Sequence, residues 1–316
     1  MILAFCGIWL TNMEEQSNLS GKLIFEQTSN QGADFDRTII TNADTTITIA
    51  LKDGFWKIPE AHDYYANFAL ANALFMNMNQ SRYFIEIDTK DKTLAEFKLL
   101  MPGKGDASSS GTLIQTFANG KVLDEVLIGK NTEDNLYTYV RKKDDNHVWL
   151  VNNDFTLPQK LYSWFQQPLL NYAPEQIKTI SSDFNGQEIE NTRTTNREPY
   201  TNQKGEKESL TLFADVFSFL TFQEVVPEEN FNPEEYPLHR DFEITLFNGL
   251  VTQIRLYSTQ EQKTFWAQIK ISANRLPTRG VNDYIKNNSF YYDGWLFKLA
   301  PETGYILFNT LAQKEQ

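Results

Sequence analysis

The sequence predicts an α+β protein of mainly antiparallel sheets built from hairpins, each covered by helices, in two related lobes. Three observations lead there. Apolar and polar residues alternate over short runs that end in Asp-Gly or Asn-Gly pairs, as at Thr46–Leu51 before Asp53-Gly54. Apolar residues recur at helical spacing in only a few places, Tyr64 to Met78 and Leu210 to Leu220 among them. Between Asn185 and Lys207 the chain loses almost all apolar residues, which marks a polar linker or exposed loop between lobes.

Taken in order, Leu23, Phe25 and Ile39-Ile40 give the first β signals. Ile47, Ile49 and Leu51 then alternate with Thr46, Thr48 and Ala50 in a half-buried strand. Asp53-Gly54 suits a two-residue turn, and Phe55–Ile58 returns as the partner strand. Pro59 fits the first position of a helix carrying Tyr64, Phe68, Ala71, Phe75 and Met78, a stripe that belongs to the core. Strands are expected at Tyr83–Ile87 and Leu94–Leu100, followed by a Gly/Ser-rich loop from Pro102 to Ser110. Lys104 lies there between glycines without the spacing of a phosphate loop. Thr112–Phe117 and Val122–Ile128 pair around Asn119-Gly120, and Leu136–Val140 pairs with Val148–Val151 around a polar end. A short helix from Pro158 carries Leu161, Trp164 and Phe165, and Gln176–Ile180 is a further strand.

Beyond the polar stretch, a helical stripe of Leu210, Phe213, Phe217 and Leu220 precedes an acidic loop from Pro227 to Pro237 that lacks calcium-loop spacing. Phe242, Ile244 and Leu246 alternate with Asp241, Glu243 and Thr245, the chain turns at Asn248-Gly249, and Ile254 and Leu256 return. Phe265, Ala267, Ile269 and Ile271 extend the sheet. The segment Asp293 to Glu302 echoes Asp53 to Glu60: each has a turn, an aromatic strand and a Pro-Glu that opens a helix, which suggests an internal strand-to-helix duplication. The expected domains are 1–20, an apolar stub and spacer; 21–184, an amino-terminal lobe; 185–207, the polar linker; and 208–316, a carboxy-terminal lobe.

With 316 residues and 41% hydrophobic content the chain can bury ample core. A net charge of -12 repels phosphate backbones and anionic lipid, which excludes nucleic acid as a partner class. Cys6 is the single cysteine, so no internal disulfide forms and the fold holds by packing. Met1–Leu10 is an apolar run, too short to span a bilayer and lacking the basic start and cleavage site of a secretory signal. It reads as the distal end of an anchor helix truncated here, with a buried first strand as the alternative.

Chemistry is hard to place. His62, His147 and His239 have no second metal-type ligand at useful spacing beyond local acids, so neither a metal nor a cofactor is expected. No nucleophile elbow occurs, and no catalytic residue can be named. Carboxylate pairs are set by distance across a cleft and cannot be read from spacing. Trp56, Trp149, Trp164, Trp266 and Trp295 fall near turns or strand ends, where aromatic faces stack on sugars or anchor a protein partner; core packing is the competing reading.

The order of the pieces resembles the bacterial family of unknown function DUF4340. The resemblance is carried by Thr46–Leu51 with Gly54–Pro59 and the helix after it, by Val126–Lys130 leading to Tyr137–Arg141, by Val148–Val151, and by Tyr162–Phe165 before Ile177–Ile180. It extends more loosely to Trp295–Leu299. Members of that family typically carry one amino-terminal transmembrane helix and an extracytoplasmic body, and are often encoded beside ABC-transporter components of the gliding-motility type. The resemblance therefore implies a non-catalytic accessory or scaffold protein on the periplasmic face of the inner membrane. Its expected partner is an envelope protein, with ABC-transporter subunits first in line, and it meets the membrane through the amino-terminal segment only. The alternatives are an envelope glycan-binding module using the strand-end aromatics, and a hydrolase with an unrecognised carboxylate pair.

Overall fold

The computed structural model describes residues 19–89, 92–184, 187–208 and 210–309. The apolar run Met1–Leu10 and Cys6 lie outside the described residues. Contacts divide the chain into two compact units between Phe165 and Gln166. Each unit is organised around one nine-stranded sheet, every ladder of which is antiparallel, and helices make up the smaller part of both.

The first unit contains β1 (Phe35–Thr41), β2 (Thr46–Lys52), β3 (Phe55–Ile58), β4 (Tyr64–Tyr65), β5 (Tyr83–Ile87), β6 (Thr112–Ala118), β7 (Lys121–Asn131), β8 (Thr138–Lys142) and β9 (Val148–Val151). Its strand order is β4-β3-β2-β1-β6-β7-β8-β9-β5. Helix α1 (Glu26–Gln31) packs on β6 and β7, and α2 (Phe68–Gln80) packs on α1. Ile47, Ile49, Ile114 and Val126 face this side, with Ala71, Leu74 and Met78 of α2 buried above. A second small core lies on the opposite face, where Phe97 and Leu99 cover Leu113, Leu127 and Val148. Full burial of a side chain such as Phe97 stabilises by roughly 2 kcal/mol.

The second unit contains β10 (Ile177–Phe184), β11 (Gln187–Thr192), β12 (Tyr200–Asn202), β13 (Lys207–Glu208), β14 (Glu224–Pro227), β15 (Leu238–Leu246), β16 (Leu250–Ser258), β17 (Phe265–Ala273) and β18 (Trp295–Lys298). Their order is β13-β12-β11-β10-β15-β16-β17-β18-β14, so each strand takes the place of the one nine earlier in the first sheet. Helix α3 (Thr211–Val216) packs on α5 (Pro301–Asn309), and α4 (Val281–Asn288) and α5 pack on β17. Ile244, Ile254, Leu256, Ala267 and Ile269 are buried beneath them.

Several sequence expectations are corrected. The polar stretch 185–207 is not a linker between lobes, because β11 and β12 within it join the second sheet beside β10. The boundaries 21–184 and 208–316 therefore give way to a division at residue 165. Far from the sheet centre, strands need few apolar residues, and Ile189 and Tyr200 suffice as partly and fully buried anchors. Leu94–Leu100 is not a strand: Thr93 and Glu96 form a reciprocal capping box around the 3-10 turn Leu94–Phe97, and Lys98 leaves it at a left-handed φ of 56°. The helix expected from Pro59 is a single turn, Pro59–Ala61, stopped by His62 and Asp63 at φ 56° and 61°. Helix α2 instead starts at Asn67, whose side chain accepts from Leu70 N at 3.1 Å. Pro158 leads only to the 3-10 turn Leu161–Trp164. The echoing segments at 53–60 and 293–302 do not hold equivalent places, since β3 lies between β2 and β4 whereas β18 lies between β17 and β14.

Candidate interaction site on the second sheet

The alternation along β15, β16 and β17 buries one side chain and turns the next outward, and antiparallel register lines the outward residues up across strands. One row runs Glu188, Asp183, Asp241, Arg255, Gln268. The neighbouring row runs Glu190, Ser181, Glu243, Gln253, Lys270. All of these but Glu190 line an open trough of about 480 Å³.

Arg255 grips Asp241 with a two-pronged pair, Nε to Oδ1 and Nη2 to Oδ2, both at 2.7 Å. The hydrogen bonds to Asp241 raise the pKa of Arg255, against the effect of burial. Gln253 donates to Glu243 at 3.1 Å. Acidic residues dominate the β10 and β11 side, whereas Arg255 and Lys270 sit toward β16 and β17. At the end of the face beyond Gln268, Trp266 and Tyr257 are covered by Phe231 and Tyr236, whose rings stack at 5.1 Å.

This surface is suited to salt bridges and hydrogen bonds with a cationic or mixed-charge partner. For acid–base chemistry it is poorly arranged. Asp183 and Asp241 are cross-strand neighbours, as a carboxylate pair requires, but both oxygens of Asp241 are held by Arg255. Among the described residues no group of His, Cys, Asp and Glu could hold a metal ion. His147 is exposed and pairs locally with Asp145 at 2.5 Å; His62 and His239 are exposed.

Charged groups buried in the first unit serve as ties between segments. Asp124 accepts from Thr28 N and Oγ1, both at 2.8 Å, and from Lys142 Nζ at 2.7 Å, fastening α1 to the sheet. Arg141 donates to the carbonyls of Leu99, Lys142, Lys143 and Asp145, and burial lowers its pKa.

The tryptophans do not gather on one exposed face. Trp149 and Trp164 are buried in the first unit, the former edge-on to Tyr83, the latter donating from Nε1 to Pro158 O at 3.1 Å. Trp56 is half-buried against Phe35 and Phe75. Trp266 is buried at the aromatic end of the trough, and Trp295 is half-buried on β18. Burial corrects the contact role expected of Trp149, Trp164 and Trp266. The trough acids carried one sequence signal, the Asp241/Glu243/Thr245 alternation, but their assembly into rows depends on register between distant strands.

The fold and this surface define a protein of two like antiparallel sheet units, with no helix among the described residues long and apolar enough to cross a membrane. The chain belongs to the family described as "Domain of unknown function (DUF4340)", which matches residues 56–240. No curated protein and no solved structure matches it.

Proposed function

We propose that this protein is a non-catalytic, membrane-tethered accessory or scaffold protein outside the cytoplasm, associated with an ABC-type transport or envelope system, and that it meets its partner through the trough of the second sheet. The observation that carries this reading is the contrast between two uses of charge. In the first unit the buried ions Asp124 and Arg141 are consumed in tying segments together. On the second sheet, Asp183, Glu188, Glu243 and Lys270 line a broad open face. Ordered rows that each run from acidic to basic side chains across a sheet favour specific protein recognition. The identical strand order of the two sheets also supports descent of the units from one duplicated module, each with a helical layer on its core face.

A glycan-binding reading rests on the stacked Phe231 and Tyr236 at the trough's end. The test is affinity recovery from detergent-solubilised membranes of the native host, comparing the natural protein with an Asp183→Lys/Glu243→Lys variant of equal thermal stability. Transport subunits recovered by the natural protein and lost in the variant support the accessory role. A protein found in the soluble fraction that recovers no subunit sinks it, and retention on envelope glycan would move the second reading ahead.

A further inference from the structure

Among the large apolar side chains exposed in the first unit are Phe84 (44% exposed) and Ile85 (48%) on an edge strand and Leu136 (63%) in the hairpin loop beside Tyr137. Phe84 and Ile85 lie on the edge strand β5, where a register shift between Tyr83 and Ile85 accompanies the outward turn of both. The Phe84 ring stacks on Tyr137 at 4.8 Å with an interplanar angle of 5°, joining the edge to the hairpin that carries Leu136. Leaving such residues in water is costly, and a contiguous apolar patch marks a contact surface.

The second unit supplies an internal comparison. The hairpin loops 132–137 and 259–264 have the same geometry: Thr132 N donates to Tyr137 O and Asn135 N to Thr132 O, as Thr259 N does to Thr264 O and Gln262 N to Thr259 O. Asn135 and Gln262 take the same left-handed conformation, at φ 57° and 52°. In this matched frame Leu136 corresponds to Lys263, and Tyr137 to Thr264. The edge strand differs in the same sense. β14 bears Glu224, paired with Lys298 at 2.6 Å, and ends in Pro227, features that protect an edge, where β5 presents Phe84 and Ile85. The shared architecture therefore does not require the patch.

What distinguishes this edge is the chain that reaches it. Gly21 N donates to Tyr83 O at 2.7 Å, Ser20 Oγ donates to Phe84 O at 3.2 Å, and Leu23 bridges Arg82, so the described chain begins alongside the start of β5. From Leu10, the end of the apolar run, to Leu19 the backbone spans at most about 30 Å. We propose that the edge bearing Phe84, Ile85, Leu136 and Tyr137 rests in the interfacial layer of the bilayer, making this the membrane-facing side of the first unit. Aromatic and aliphatic side chains are favoured at that depth. Glu86 and Asp134 flank these residues in sequence and Arg82 lies at the same edge, so the neighbouring charge is mixed and the lipid the patch fits is zwitterionic. The proposal rests on the tethered reading above.

The test uses the full chain in a Cys6→Ser background with an environment-sensitive fluorophore on Leu136→Cys, and separately on Lys263→Cys in the matching hairpin. The probe is phosphatidylcholine vesicles, with and without headgroup-level nitroxide quenchers. The expected result is co-sedimentation with vesicles, at least a two-fold rise in emission with a blue shift at position 136 and quenching there, and no change at position 263. Co-sedimentation with the two labels behaving alike overturns the membrane-facing edge and leaves the tether standing. Failure to co-sediment overturns the membrane-facing edge, while the tether is decided separately by whether the natural protein fractionates with host membranes. A concentration-dependent blue shift at 136 without vesicles assigns the patch to self-association and overturns the lipid assignment.

Discussion

Replacing Asp124 by alanine tests how the first unit is held together. The Asp124 side chain is 3% exposed and receives Thr28 N–H and O–H and the Lys142 ammonium. Removing one partner of a buried pair costs about 3–5 kcal/mol, because the other charge stays behind without compensation. Here Lys142 is 34% exposed and keeps a bond to Ile24 O at 2.5 Å, so water and that carbonyl relieve part of the loss. Thr28 Oγ1 also keeps Thr116 at 2.6 Å. The expected cost lies at the low end, about 3 kcal/mol, most of it from the Thr28 amide and the lysine. At roughly 2–4 °C per kcal/mol for a unit of this size, the melting temperature should fall by about 6–12 °C. Asp124→Asn, which preserves shape but not charge, should lose about half as much. Calorimetry and urea denaturation of the full chain read both values. A loss under about 1 kcal/mol for Asp124→Ala, or additivity with Lys142→Met in a double-mutant cycle, would refute the claim that this node fastens α1 to the sheet.

Other expectations follow from single contacts. Gly304 lies within α5, and a Cβ there would clash with the Phe265 ring, so Gly304→Ala should destabilise by about 1–3 kcal/mol despite alanine's helix preference; a raised melting temperature would contradict it. Trp164→Phe removes the bond to Pro158 O, whereas the buried Trp266 Nε1 has no partner among the described residues, so Trp266→Phe should cost less by about 1 kcal/mol in urea denaturation. Asp154 accepts from Thr156 and Asn131, the Thr156 hydroxyl being the largest cause of its lowered pKa. A carboxylate depressed in the folded state stabilises above its unfolded pKa, about 3.9, and that stability is lost as pH falls through the folded value. Asp154→Asn should therefore lessen the drop in urea midpoint between pH 7 and pH 3, and an unchanged drop would remove Asp154 from the acid response.

Much of the fold was legible because hairpins are local. Asp53-Gly54 and Asn119-Gly120 both take paired positive φ values, and the strands flanking them pair as their alternation implies. What sequence could not supply was membership of a sheet. Residues 187–202 look like linker because strands far from the core need little apolar surface, and only pairing with β10 assigns them to the second unit. The Pro59 helix failed on local backbone, since His62 and Asp63 adopt left-handed conformations that no helical stripe reveals. The tryptophan reading failed for Trp149, Trp164 and Trp266 because a position near a strand end does not determine exposure: Trp149 and Trp266 fill the space beside Tyr83 and Phe231. The trough lay beyond reach for the same reason as the sheet boundary, its rows drawing on β10, β11, β15, β16 and β17 at once.

The most direct measurement of the central claim is photo-crosslinking in the native host from a reactive side chain at Lys270, in the trough, beside a control at Lys204 on the same unit. The account expects a crosslink to an integral membrane transport subunit from Lys270, none from Lys204, and its loss when Asp183→Lys and Glu243→Lys are introduced without change in melting temperature. Equal crosslinking from both positions, or none from Lys270 while the protein remains in the membrane fraction, would contradict it.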